Sequence, residues 1–328
     1  MKMKMKIIAV LLLIFSEAAF SQGGGIDKVG TTSFQFLKVM PGARSTGMGE
    51  SFISVVNTSE AVYWNPGALV KINNFDASFS YVDWFLDVSH LALSAAYTIE
   101  DFGTLGLQVQ VNDLGDIPIT RVENLSRDSE TGVYNPGLTG ETMSPGFTVV
   151  GLSYAKSLTD KFSFGLSFKV AHENLIAESA TSWMLDGGLI YQTGFKSIDV
   201  AISLRNFGPE VKFIDKSYPL PQTLTLGIST YLFSPKNSLM SDIEDQSLLL
   251  SYNLSQPRDY GQQHNVGMEY SFYQVIFLRA GYKINYDEEG LTFGAGVNYQ
   301  GYRVDYSFND FGEYLGNVHR FTIGLSIN

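Results

Sequence analysis

The chain of 328 residues contains no cysteine. That single absence removes disulfide frameworks, thiolate zinc sites, iron–sulfur clusters, a cysteine nucleophile and a lipoprotein anchor. Charge is scarce as well: Asp, Glu, Lys and Arg make up 17% of the residues, against roughly 25% in an ordinary soluble domain. The charge that is present is net negative, -11, without a Lys/Arg cluster, so a nucleic-acid partner is excluded. Beyond the N-terminus no apolar run reaches the ~20 residues of a spanning helix. Recognisable catalytic constellations are missing too. Gly42 and Gly47 have the spacing of a phosphate loop, but Met48-Gly49 stands where Lys-Ser/Thr is needed. His90, His172, His264 and His319 are isolated, and no Gly-x-Ser-x-Gly elbow occurs. A non-enzymatic protein without metal or cofactor is expected. What is abundant is glycine, 32 residues, and aromatics, 13%, a mixture suited to strands and tight turns rather than helices.

The N-terminus reads as an export signal. Lys2, Lys4 and Lys6 precede the apolar run Ile7 to Phe15, and Ala19-Phe20-Ser21 supplies small residues for cleavage after Ser21. An exported chain with few charges and no spanning helix is either an all-β soluble protein or an outer-membrane barrel. Alternation decides between them. Phe162, Phe164, Leu166, Phe168 and Val170 alternate with Ser163, Gly165, Ser167, Lys169 and Ala171, and Phe321, Ile323, Leu325 and Ile327 do the same against Thr322, Gly324 and Ser326. A lipid-facing strand needs an apolar residue at every second position, and the small polar residues between suit a hydrated lumen.

Fourteen such segments follow residue 72: 75–84, 88–99, 103–113, 146–157, 162–173, 182–192, 198–206, 222–232, 246–255, 264–271, 275–283, 290–299, 302–310 and 319–327. Most approach the ~9 to 11 residues that cross a bilayer as a tilted strand, and the total is even, as in bacterial barrels. Long connections fall mainly at one end, with 233–245 the exception among the short turns. Tyr81, Trp84, Trp183, Tyr191, Tyr231 and Tyr282, near strand ends, are expected in interfacial girdles.

Residues 22–72 lack this alternation. They contain Gly42-Ala43-Arg44, Gly47-Met48-Gly49 and Tyr63-Trp64-Asn65-Pro66. Together with Leu185-Asp186-Gly187-Gly188, Leu204-Arg205-Asn206-Phe207-Gly208-Pro209 and Leu220-Pro221, these motifs resemble the PorV/PorQ family of outer-membrane proteins, related to FadL-type transporters. The resemblance implies a FadL-like, fourteen-stranded transmembrane antiparallel β-barrel (73–328) whose N-terminal segment (22–72) is a hatch or plug inside it, after a signal peptide (1–21). One departure is Gly67-Ala68 after Asn65-Pro66, where FadL-type hatches continue with alanine. Pro66 keeps Asn65 extended, and Gly42, Gly47 and Gly49 permit close wall contact. Arg44, taken out of water, needs an acid on the wall; Asp186 is a candidate partner.

Two functional readings follow from the resemblance. PorV-like proteins serve type IX secretion by binding exported cargo C-terminal domains or the translocon. The external 114–145 loop, with Asp116, Arg121, Glu123, Arg127, Asp128, Glu130 and Glu141, is then the expected docking surface, since long loops in compact folds tend to be functional. The alternative is FadL-like uptake of hydrophobic small molecules through the outer membrane. A polar lumen, with Met184 and Ile190 as apolar exceptions, favours the first reading, because small-molecule pockets are mostly apolar. The run Asn285 to Gly290 is expected to be a solvated turn rather than a calcium loop.

Overall fold

The computed structural model describes residues 28–85, 88–175 and 178–327; the signal peptide expected at 1–21 lies outside them. Fourteen strands form one closed antiparallel meander. They are β1 (Phe75–Asp83), β2 (Ser89–Ile99), β3 (Gly103–Asp113), β4 (Gly146–Ser157), β5 (Phe162–Asn174), β6 (Ser179–Gln192) and β7 (Asp199–Phe207). The second half comprises β8 (Thr223–Ser234), β9 (Gln246–Pro257), β10 (Gln263–Phe272), β11 (Ile276–Ile284), β12 (Leu291–Tyr299), β13 (Tyr302–Asp310) and β14 (Asn317–Ile327). Each pairs with its sequence neighbour, and β1 closes on β14 with Phe75 opposite Ile327. Closure leaves no unpaired edge, the condition for a sheet in hydrocarbon.

Side-chain period sets the two faces. Phe79, Tyr81, Leu105, Leu107, Leu166, Phe168, Phe321 and Ile323 lie on the outer surface, exposed. Ser78, Ser80, Gln108, Ser153, Ser167, Ser307 and Thr322 on the other face are buried. Two of the expected girdle residues depart from the outer face. Tyr231 is half-buried against the interior apolar cluster, and Trp84 packs inward on Phe311. The cause is local: a register irregularity between Tyr231 and Phe233 turns the end of β8, and Trp84 lies past the end of β1.

One end of the barrel has short turns, such as Gln300-Gly301, with positive φ at both residues as a tight hairpin requires. The long connection there, between β8 and β9, hooks Ser241–Asp242 alongside β8 as a short parallel strand. The other end carries the long loops. Residues 114–145 build an exposed hairpin in which Ile117–Thr120 pairs with Leu138–Met143. If this end faces outward, single cysteines placed at Asp128 and Glu288 in the cysteine-free chain will both react with an impermeant thiol reagent on intact cells. Protection of both would reverse the orientation.

Candidate functional site: a filled lumen and a loop-end cavity

Residues 28–72 are folded inside the barrel. Short helical turns at Gln35–Lys38, Ala43–Gly47, Ala61–Trp64 and Pro66–Lys71 pack Met48, Phe52, Ile53, Val56, Val62, Trp64 and Leu69 into one cluster with wall residues Ala92, Ala96, Ala155, Ile190, Ala201 and Leu249. None of these turns could persist alone, since isolated helices this short do not form in water; the barrel interior holds them.

The motif glycines sit at the closest approaches. Gly42 and Gly49 have φ of 99° and 61°, a region costly for other residues. Gly47 faces Gly294 so tightly that a Cβ on Gly47 would lie 3.0 Å from the Gly294 Cα. A Cβ on the wall at Gly281 would lie 2.1 Å from the Gly49 nitrogen, and one at Gly165 would lie 2.3 Å from the Pro66 carbonyl carbon. Ala43 donates its N–H to Thr322 Oγ1, and Met48 is fully buried. Asn65 is extended ahead of Pro66; its amide donates to the Ile53 and Leu189 carbonyls while its Oδ1 accepts from Gly67 N–H. The Trp64 carbonyl accepts from Ser203.

These bonds correct the expectation of a hydrated lumen. Several inward Ser, Thr and Asn residues bond the backbone of the segment: Ser251 donates to the Ser51 carbonyl, Asn253 to Glu50, Asn265 to Gly49, Asn309 to Thr46 and Thr292 to Gly47, while others, such as Ser153 with Ser167 and Ser247 with Ser271, pair across the wall. An irregular chain buried in a barrel must satisfy its peptide groups, and the wall supplies the partners. Part of the polar lining is thus accounted for by the segment it holds.

Charges tie the segment to the wall. Arg44 donates from Nε and Nη2 to Glu269 at 2.8 Å each, and Arg279 reaches Glu269 at 2.5 Å and Asp305 at 2.6 Å. The expected Arg44–Asp186 pair is not formed. Asp186 is held by Lys169 at 2.6 Å and accepts the Asn206 N–H, so a neighbouring strand has already neutralised it. The sequence carries Arg205 only as part of the Leu204 to Pro209 motif, and Glu269, Arg279 and Asp305 only as inward strand positions, while Glu50 ends the glycine-rich segment with no signal of its own.

At the loop end lies a cavity of about 440 Å³. Leu37, Met40, Ile53 and Trp64 of the interior segment close it from below, and the β1–β2, β7–β8, β9–β10, β11–β12 and β13–β14 connections rim it through Trp84, Pro221, Asp259, Asp287 and Phe311. Trp84 and Phe311 meet edge to face at 5.2 Å. Arg205 also lines the cavity. Its guanidinium stacks 5.3 Å over Trp64, Nη1 touches Met40 Sδ, Nε has no hydrogen-bond partner, and no carboxylate lies within ion-pair distance among the described residues. Asp259 holds the covering stretch of residues 32–38 by accepting from Thr32 and Lys38.

Solved structures share this architecture. The crystal structure of the Pseudomonas putida toluene transporter TodX matches with a TM-score of 0.56 at 13% identity, over 88% of this chain and 98% of that one. A Pseudomonas aeruginosa FadL homologue matches with a TM-score of 0.50 at 11% identity, over 88% and 99%. The fold is FadL-like. No family model matches the chain, nor does any curated protein, so the PorV/PorQ resemblance gains no support from either comparison. The exposed band of Phe79, Leu105, Leu166, Phe168 and Ile323 around the wall is the surface a strand barrel presents to hydrocarbon.

Three of the loop residues expected to dock a partner make contacts within the hairpin. Asp128 accepts from the Glu130 and Thr131 N–H groups, which lower its carboxyl below the usual range. Asp116 accepts from Ser144, and Arg127 donates to the Gly132 carbonyl beside Tyr134. Arg121, Glu123 and Glu130 are exposed. At the other acidic run, Glu289 pairs with Lys283 and Asp287 accepts from Tyr260.

Proposed function

We propose that this FadL-like barrel takes up small hydrophobic compounds across the outer membrane, receiving them in the loop-end cavity above an N-terminal segment that acts as a hatch. The observation that carries this reading is the cavity itself. Its volume falls in the ~300 to 1,000 Å³ range of small-molecule sites, and it combines a mostly apolar floor with a few fixed polar groups. The fold shared with a protein named as a toluene transporter supports the same reading. Arg205 refines it: a buried guanidinium without an anion is suited to the polar end of a ligand whose apolar body lies on Trp64, Ile53 and Leu37.

Detergent-solubilised protein titrated with toluene and with octanoate tests this, with tryptophan fluorescence as readout. Saturable binding of at least one probe, competed by the other, is expected. Arg205→Leu should weaken octanoate by roughly 10-fold or more, the worth of one charge-assisted hydrogen bond, while toluene changes little. Absence of saturable binding by both probes, with a secretion complex co-purifying instead, would replace uptake by the cargo-binding reading.

A further inference from the structure

The hatch meets the wall through a balanced set of charges. Arg44, Arg279 and Arg303 face Glu269, Asp305 and Asp76, with Arg303 reaching Asp76 at 2.6 Å. Three cations offset three anions. Asp76 is bound to the hatch as well, accepting the Ser59 N–H at 2.7 Å. The next residue, Glu60, is a fourth carboxylate inside this set.

Glu60 is 3% exposed, and its Oε1 has no hydrogen-bond partner. It is pressed onto Gly42 so closely that a Cβ there would lie 2.3 Å from Oε1. The charged and titratable groups around it are Asp305 and Arg303 of β13, Asp76 of β1, and Arg44 and Tyr63 of the hatch. Each arginine is already committed to another carboxylate. An ionised Glu60 would therefore be an uncompensated negative charge away from water, next to Asp305 and Asp76, and such a charge is relieved by protonation or by movement.

We infer that Glu60 is a proton-operated catch: neutral, it seats the hatch against the β13–β1 side of the wall, and its ionisation releases that side. Burial, reinforced by Asp305, raises the Glu60 carboxyl from 4.5 to about 7. The direction of the pH effect follows. A released Glu60 loses its proton near the ordinary carboxylate value, whereas a seated one keeps it to about 7. Seating is fully favoured below the lower value, weakens as pH rises between the two, and levels off above the higher. The inference needs no ligand, so its failure would leave the uptake reading intact.

The test is the conductance of full-length protein in planar bilayers at about pH 5 and about pH 8. Open probability of the wild type should rise on the order of 10- to 100-fold between them, the linkage expected of one carboxyl shifted this far. Glu60→Gln, a neutral isostere that retains the seat, should stay at the low-pH level throughout. A wild type insensitive to pH, or a Glu60→Gln protein with the wild-type rise, would overturn the inference.

Discussion

Gly281→Val is expected to drive the hatch out of its seat and leave the barrel closed, giving a persistently conducting pore. Gly281 lies on β11 with hydrogen-bonded strands on both sides, β10 and β12. A Cβ there would lie 2.1 Å from the Gly49 nitrogen and 2.3 Å from the Met48 carbonyl carbon. Both obstacles are backbone, so no rotamer change can relieve the overlap. Overpacking a core costs about 1 to 3 kcal/mol even where side chains can shift. Here the stretch from Met48 to Gly49 would have to move, breaking the Asn265 bond to the Gly49 carbonyl. The wall is the stiffer partner, since valine is a good strand residue and the ladder on either side is unaffected. Measured together, planar-bilayer conductance should change from closed to open, while the folded-barrel band persists in unboiled gels. Gly187→Val is the control: on the outer face its Cβ would meet only Leu166 Cδ2, at 3.8 Å, and it should conduct like the wild type. A folded but closed Gly281→Val protein would show that the segment is not held by this contact.

The wall was legible in the sequence and the interior only in part. Every strand expected from alternation is present, because a lipid-facing residue at every second position is a demand of the solvent, independent of partners. β6 begins at Ser179 rather than at residue 182, since Ser179, Ala180 and Thr181 are too small or polar to carry the period. Ser241–Asp242 is too short to show any period. Inward positions such as Arg279 and Asp305 were assignable from the same alternation, yet their partners were not. Pairing depends on register, which sets Glu269 directly opposite Arg279, and on where the interior segment delivers Arg44. For the same reason Asp186, the best-placed acid by motif, turned out to belong to Lys169. The cavity had no signature in the sequence, as five connections distant in the chain build its rim.

Replacing Glu269 by Gln should have the second large effect, for an electrostatic rather than a steric reason. Glu269 is the only carboxylate at ion-pair distance from Arg44 among the described residues, and it shares Arg279 with Asp305. Its side chain is 5% exposed and that of Arg44 13%, so water does little to offset a lost partner. After the substitution Arg279 keeps Asp305, but Arg44 keeps only the Asn57 oxygen and the face of Phe52. Breaking a buried pair by removing one member costs about 3 to 5 kcal/mol, because a charge is left without compensation. If the segment acts as the proposed hatch, its seated form bears that cost and a released one returns Arg44 to water, so the equilibrium is expected to shift toward release by roughly 10²-fold or more. By contrast, Lys71–Asp199, at 3.6 Å and partly exposed, contributes ~0 to 1 kcal/mol, and Lys71→Ala should leave conductance near wild type. The decisive variant is Arg44→Met in the Glu269→Gln background. If the uncompensated guanidinium is what unseats the hatch, removing it restores most of the closed state, and the two substitutions together are far milder than Glu269→Gln alone. Equal opening by the single and double variants would place the cost elsewhere, in packing around β10 rather than in the charge that Glu269 holds.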